Sequence, residues 1–123
     1  MSPSSKIRSI ASRKARAAQT QNAVAEHFAA NGWPHATSAG AGRKGVDVLG
    51  MPDLSCEVKA RRDLNVLAWL RQAASQHGLP FVVWRPDGMG PAKIQSWPVM
   101  TTLESFTELL QAAGFGEPEK IRK

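Results

Sequence analysis

The residue types best suited to chemistry gather near the middle of the chain. Asp47 stands in Gly-Val-Asp-Val-Leu-Gly, and Glu57 and Lys59 stand in Leu-Ser-Cys-Glu-Val-Lys-Ala. Between them Met51-Pro52-Asp53-Leu54 reads as a turn, because proline presets φ and aspartate bonds its own backbone. Short strands at 46–50 and 55–60 would then form a hairpin. Side chains alternate along a strand, so Val46 and Val48 oppose Asp47, while Cys56, Val58 and Ala60 oppose Glu57 and Lys59. With a three-residue loop, 51–53, antiparallel pairing sets Asp47 across from Glu57 with Cβ atoms about 4.5 to 5.5 Å apart. A two-residue loop would send the acids to opposite faces. Opposed carboxylates repel, and a hard cation such as Mg²⁺ converts that repulsion into coordination. A divalent metal beside an ammonium is equipment for holding and hydrolysing a phosphodiester. The competing reading is a solvated edge hairpin in which Lys59 makes a cross-strand ion pair worth under about 1 kcal/mol.

The elements that must position these residues follow from periodicity and punctuation. Residues 1–16 form a basic flexible arm or an extension of the first helix, 17–116 a single domain, and 117–123 a charged tail. Ala17, Val24, Ala25 and Phe28 recur at helical intervals over 17–31, and Asn31-Gly32 with Pro34 stops that helix. A short strand at 33–38 and a Gly-rich loop at 39–45 lead into the hairpin. A helix over 65–76 carries Val66, Leu67, Leu70 and Ala74 on one side. Phe-Val-Val-Trp at 81–84, in a run from 80, is a buried strand; Arg85-Pro86-Asp87-Gly88 is a turn; 93–99 is a returning strand held to an edge by Pro98. A last helix over 103–113, capped by Thr101 or Thr102, bears the stripe Leu103, Phe106, Leu109 and Leu110. The order α-β-β-β-α-β-β-α predicts an α/β fold, a mixed β-sheet flanked by helices.

The chain has 123 residues, room for one compact domain, and a formal charge of +6 from 16 Lys and Arg against 10 Asp and Glu. That balance draws polyanions, with DNA the leading partner. Lys6, Arg8, Arg13, Lys14 and Arg16 all precede the first acid, Glu26. The Arg- and Ser-rich start has the look of a transit peptide, but nothing else supports import, and no apolar run approaches a membrane span, so a cytoplasmic protein is expected. His27, His35, His77 and Cys56 show no zinc-ligand spacing, and the lone cysteine forms no internal disulfide. Trp33, Trp69, Trp84 and Trp97 are expected in the core more than stacked on bases, with Trp69 the best stacking candidate.

An Asp on one strand, Glu-x-Lys on the next, and a helix carrying Gln together resemble the PD-(D/E)xK nuclease superfamily, and within it the archaeal and phage Holliday junction resolvase group. The match is Asp47, Glu57-Val58-Lys59, and Gln72 in Trp-Leu-Arg-Gln-Ala, and it spans roughly 17–85. The literal Pro52-Asp53 pair lies too close to Glu57 to leave room for a turn, so Asp47 is the matching acid. The resemblance implies a restriction-endonuclease-like core and Mg²⁺-dependent cleavage of branched DNA by a homodimer, with Mn²⁺ as a substitute metal. It also implies that Asp47, Glu57 and the Val58 carbonyl hold the metal, that Lys59 serves the attacking water, and that Gln72 holds the water or Lys59. As a plain helix-surface amide, Gln72 would do neither. Lys14, Arg16, Arg43, Lys44, Arg61 and Arg62 would track phosphates, or be ordinary solvated charge. The family's first-helix acid is missing at the aligned position, where Gln21 stands; Glu26, the nearest acid, either substitutes from the next turn or is a surface residue, the surface reading being favoured. The alternatives are a nicking or restriction-type endonuclease of the same fold, a non-catalytic DNA-binding protein, and a basic structural protein.

Overall fold

The computed structural model describes residues 3–40 and 45–117, with side chains described from Ile10 onward. It contains helix α1 (Pro3–Ala30), strands β1 (Thr37–Ser38), β2 (Val48–Leu49) and β3 (Leu54–Lys59), helix α2 (Val66–Ala74), strand β4 (Leu79–Trp84), a 3-10 helix (Pro91–Ser96), strand β5 (Val99–Met100) and helix α3 (Leu103–Ala112). The helix-extension alternative for the start of the chain describes α1, which runs through the basic arm from Pro3. Its end is fixed locally. Gly32 takes φ +114°, Trp33 N–H returns to the Phe28 carbonyl at 3.0 Å, and the two rings meet edge to face at 5.4 Å. That combination is a Schellman stop with its hydrophobic contact.

β3 and β4 pair in parallel from Leu54↔Leu79 to Lys59↔Trp84, with α2 as the crossover, and β5 adds antiparallel to β4 through Val82↔Met100. The sheet is therefore mixed, as the element order predicts, while β1 and β2 form a separate two-stranded ribbon. The crossover is tight at its return. Gly78 has φ +106°, and a Cβ there would lie 2.6 Å from the Asp53 backbone, so only glycine lets α2 turn back beside the start of β3.

Helices cover both faces of the central strands. Val24 and Ala25 of α1 pack with Cys56, Val58, Phe81, Val83 and Trp97, while Trp69 and Ala73 of α2 pack with Val82. Burial on both sides explains the unbroken apolar run of β4.

Several sequence expectations need correction. The 46–50 and 55–60 strands do not zip into a hairpin ladder; β2 shrinks to Val48–Leu49 and pairs with β1 instead. The buried side of α2 is Trp69 and Ala73 with Leu70, and Leu67 is 70% exposed, because the helix rotates to bury its largest apolar side chain. The returning strand at 93–99 is mostly the 3-10 helix, started by Pro91 and leaving only Val99–Met100 as strand. The apolar stripe of α3 exists but faces outward, with Leu103 80% and Phe106 50% exposed. Its start is as expected: Thr102 caps it, accepting from Ser105 N–H at 3.1 Å.

Candidate active site

The site forms where the C-terminal half of β3 meets α1, α2 and the segment before β2. β4 occupies one edge of β3, and Asp47 occupies the other. Asp47 N–H donates to the Cys56 carbonyl at 3.0 Å, its own carbonyl accepts Ala39 N–H at 2.9 Å, and its Oδ2 accepts Val58 N–H at 2.8 Å. The aspartate thus takes the place of a neighbouring strand. It approaches Glu57 by capping β3 with its side chain, not as a cross-strand ladder partner. Within a strand the N–H and C=O of one residue point to the same edge, so the Val58 carbonyl is directed to the Asp47 side.

The polar residues of β3 on the α2 side, Ser55, Glu57 and Lys59, have three different environments. Ser55 is fully buried and satisfied, donating Oγ–H to the Ala73 carbonyl at 2.6 Å. Lys59 donates Nζ to Gln72 Oε1 at 2.7 Å. Glu57 is 0% exposed, and neither carboxylate oxygen has a hydrogen-bond partner. Lys59 Nζ lies 3.8 Å from Glu57 Oε2, close enough for Coulomb attraction and too far for a hydrogen bond. Burial, then the neighbouring Asp47 charge, push the Glu57 carboxyl up to about 7 against the opposing pull of Lys59. This burial overturns the solvated-hairpin reading. Cys56, on the opposite face, is fully buried, and burial with both acids nearby drives its thiol far up, so it stays neutral and unreactive.

Above this cluster opens a cleft of about 480 Å³, lined by Asp47, Val58 and Lys59 from the sheet side and by Arg13, Arg16 and Gln21 from α1. Arg61 and Arg62 continue it past the end of β3. Arg16 is partly engaged, bonding the Pro86 carbonyl at 3.2 Å and Asp87 at 3.3 Å. The turn carrying these acceptors is anchored by buried Arg85, which donates to Met89 O at 3.0 Å, Gln19 Oε1 at 2.8 Å and Thr20 Oγ1 at 3.0 Å and lies over Trp97. Burial, with Arg16 nearby, lowers its pKa.

Asp47, Val58, Lys59, Arg16, Arg61 and Arg62 therefore share one cleft, with Glu57 and Gln72 in contact with Lys59. Lys14 is exposed on α1 and lines a different groove. Arg43 and Lys44 lie outside the described residues. Arg13, Gln21 and Asp87 also line the cleft, whereas the sequence pattern marks Arg13 only as part of the basic start, Asp87 only as a turn residue and Gln21 only as the residue at the aligned acid position. Arg13, Arg16, Ala17 and Gln21 recur at helical spacing, a signal readable once α1 is carried back before residue 17. Glu26 is exposed and does not line the cleft. Trp69, the stacking candidate, is 7% exposed in the core.

Among the described residues no group of three or more His, Cys, Asp or Glu is placed to hold a metal ion; the acids at β3 are Asp47 and Glu57, and Asp87, which also lines the cleft, is paired with Arg16. The donor set fits a hard divalent cation: two carboxylates, one with both oxygens orphaned, and a strand carbonyl aimed to the same edge. No protein-family model matches this chain, and searches of curated proteins and of solved structures give no significant match. Among the described residues no helix is long and apolar enough to cross a membrane.

Proposed function

We propose that this chain is a Mg²⁺-dependent endodeoxyribonuclease, with Mn²⁺ as an alternative metal, built on a restriction-endonuclease-like core of the PD-(D/E)xK type and acting on branched DNA as Holliday junction resolvases do. One observation carries the reading. A fully buried glutamate whose carboxylate oxygens have no hydrogen-bond partner lies 3.8 Å from Lys59 Nζ, behind a cleft that Asp47 and Lys59 line together with Arg13, Arg16, Arg61 and Arg62. Stranding an ionised carboxylate costs several kcal/mol, and a fold retains that arrangement most readily where a ligand repays it.

Asp47, Glu57 and the Val58 carbonyl would hold the metal. Bound there, the ion would lower the pKa of a water and neutralise charge on the scissile phosphate. Lys59 has three donors, one fixed by Gln72, so its ammonium is oriented to give the others to a phosphate oxygen and the attacking water. Arg13, Arg61 and Arg62 neutralise phosphates flanking the cut. In a homodimer a second copy would cover the exposed apolar side of α3.

Labelled four-way junction, flap, duplex and single-stranded DNA, each incubated with and without Mg²⁺, test the reading. Cleavage of the junction with metal, lost on Asp47→Ala, Glu57→Ala and Lys59→Ala, is the expected result. Cutting that survives all three substitutions removes the site assignment. One observation favours a second reading, a DNA-binding protein without catalysis: the α1 wall supplies Arg13, Arg16 and Gln21 and no carboxylate. It predicts metal-independent binding and no products.

A further inference from the structure

Helix α1 separates two grooves. On one side lies the cleft at Asp47, and on the other a groove of about 680 Å³ lined by Lys14, Ala18, Asn22, Ser38 and Gly40. Ala17 and Gln21 line both. The crest between the grooves is therefore low: Ala17 contributes one exposed methyl, and Gln21, a turn further on, has its Oε1 held by Ser38 Oγ–H at 2.9 Å. That bond leaves the NH₂ end of the Gln21 amide as a donor on the crest. Among the described residues no carboxylate lines the second groove, and of the two in the cleft Asp87 is paired with Arg16.

We propose that one strand of nucleic acid leaves the cleft, crosses α1 at Ala17 and continues into the groove at Lys14, Asn22 and Ser38, held by its phosphates and not by its bases. The inference rests on the reading that the cleft's ligand is nucleic acid, and it adds the path and the strand class. A helix with its side chains is about 10 to 12 Å across. A path bent over so small an obstacle is open to a flexible single strand, whereas duplex DNA, with a persistence length of about 150 bp, resists it. Among the described residues no aromatic side chain lines either groove, so these walls offer no stacking platform. What the grooves offer is cations, amides and a hydroxyl, which are phosphate partners and tolerate any sequence.

The test is binding of fluorescent single-stranded oligonucleotides, oligo-dT and mixed sequence, to the full chain in EDTA. Ala17→Glu, which sets a carboxylate on the crest against the phosphates, should weaken binding of both by at least about tenfold, with helical circular dichroism unchanged. Ala92→Glu, the same charge change at an exposed position on the 3-10 helix that lines neither groove, should bind nearly as wild type. Lys14→Glu, a change at an exposed side chain in the second groove, should weaken both oligonucleotides alike. Unchanged binding by Ala17→Glu and Lys14→Glu overturns the path, and tighter binding of blunt duplex than of single strand overturns the strand class. Binding lost in Ala17→Glu by a protein that never cuts DNA leaves the path standing and removes the hydrolase. Asp47-dependent cutting with unimpaired Ala17→Glu binding does the reverse.

Discussion

Glu57 is the residue on which the proposed chemistry turns, and its burial makes a prediction that needs no substrate. Its folded pKa, about 7, lies above its unfolded value of 4.5. Between those values the folded state holds a proton that the unfolded chain has released, so the contribution of this group to stability is fully present below about pH 4.5 and is lost as pH rises to about 7. The loss is on the order of 3 kcal/mol. In metal-free buffer, urea unfolding from pH 5 to 8 should show stability falling in wild type and much less in Glu57→Gln. Adding Mg²⁺ at pH 8 should restore the wild type and leave Glu57→Gln unmoved; a flat wild-type profile would refute the buried-acid account. Lys59 and Gln72 separate by magnitude. Lys59→Ala should lower the cleavage rate by about 10² to 10⁴. Gln72→Ala, which frees the ammonium without removing it, should cost about 10- to 100-fold, with junction affinity in EDTA nearly unchanged.

At the scale of elements, the site depends on how α2 is fastened to β3. The Ser55 hydroxyl bonds the carbonyl of Ala73, the residue after Gln72, and so fixes the helix turn that presents the amide to Lys59. Ser55→Ala should destabilise the fold by about 0.5 to 1.5 kcal/mol by deleting that buried hydrogen bond, the Ala73 carbonyl keeping Gln76 N–H at 3.3 Å, read by chemical denaturation. It should also reduce cleavage, though Ser55 touches no reacting atom. The order of elements was legible in the sequence because each has a local cause: Asn31-Gly32 ends α1, Pro52-Asp53 turns the chain before β3, and Thr102 caps α3. Which strands pair was not legible. The turn at 52–53 predicts a hairpin, but the free edge of β3 was satisfied by the Asp47 side chain, and the parallel partner β4 comes from 25 residues further along the chain in the register Leu54↔Leu79. Local turn chemistry has no information about such distant competition.

For the molecule as a whole, the charge of +6 is arranged as well as abundant. Arg13, Arg16, Lys59, Arg61 and Arg62 converge on one cleft although they come from α1, from β3 and from the segment after it. Junction affinity should therefore fall steeply with salt, the slope flattening by about 0.9 for each duplex phosphate contact removed. Arg61→Ala with Arg62→Ala, both exposed, tests this by titration at several salt concentrations, with fold stability expected within about 0.5 kcal/mol of wild type. A salt-independent affinity would favour the basic structural protein. The exposed stripe of α3 gives a separate measurement. Sedimentation should show a dimer that Phe106→Glu converts to monomer without loss of secondary structure.

The amino-acid order alone determined the α/β succession, the two acids and lysine worth watching, and the net positive charge, since helix stops, turn residues and charge act over a few residues or by simple summation. Only the tertiary structure decided that Glu57 is buried with neither oxygen hydrogen-bonded, that Asp47 caps Val58 instead of facing Glu57 across a ladder, and that α1 brings Arg13 and Gln21 to the cleft. Those facts depend on which distant segments cover β3 and on what water they exclude, and burial is a property of the packed whole that no short stretch of sequence carries.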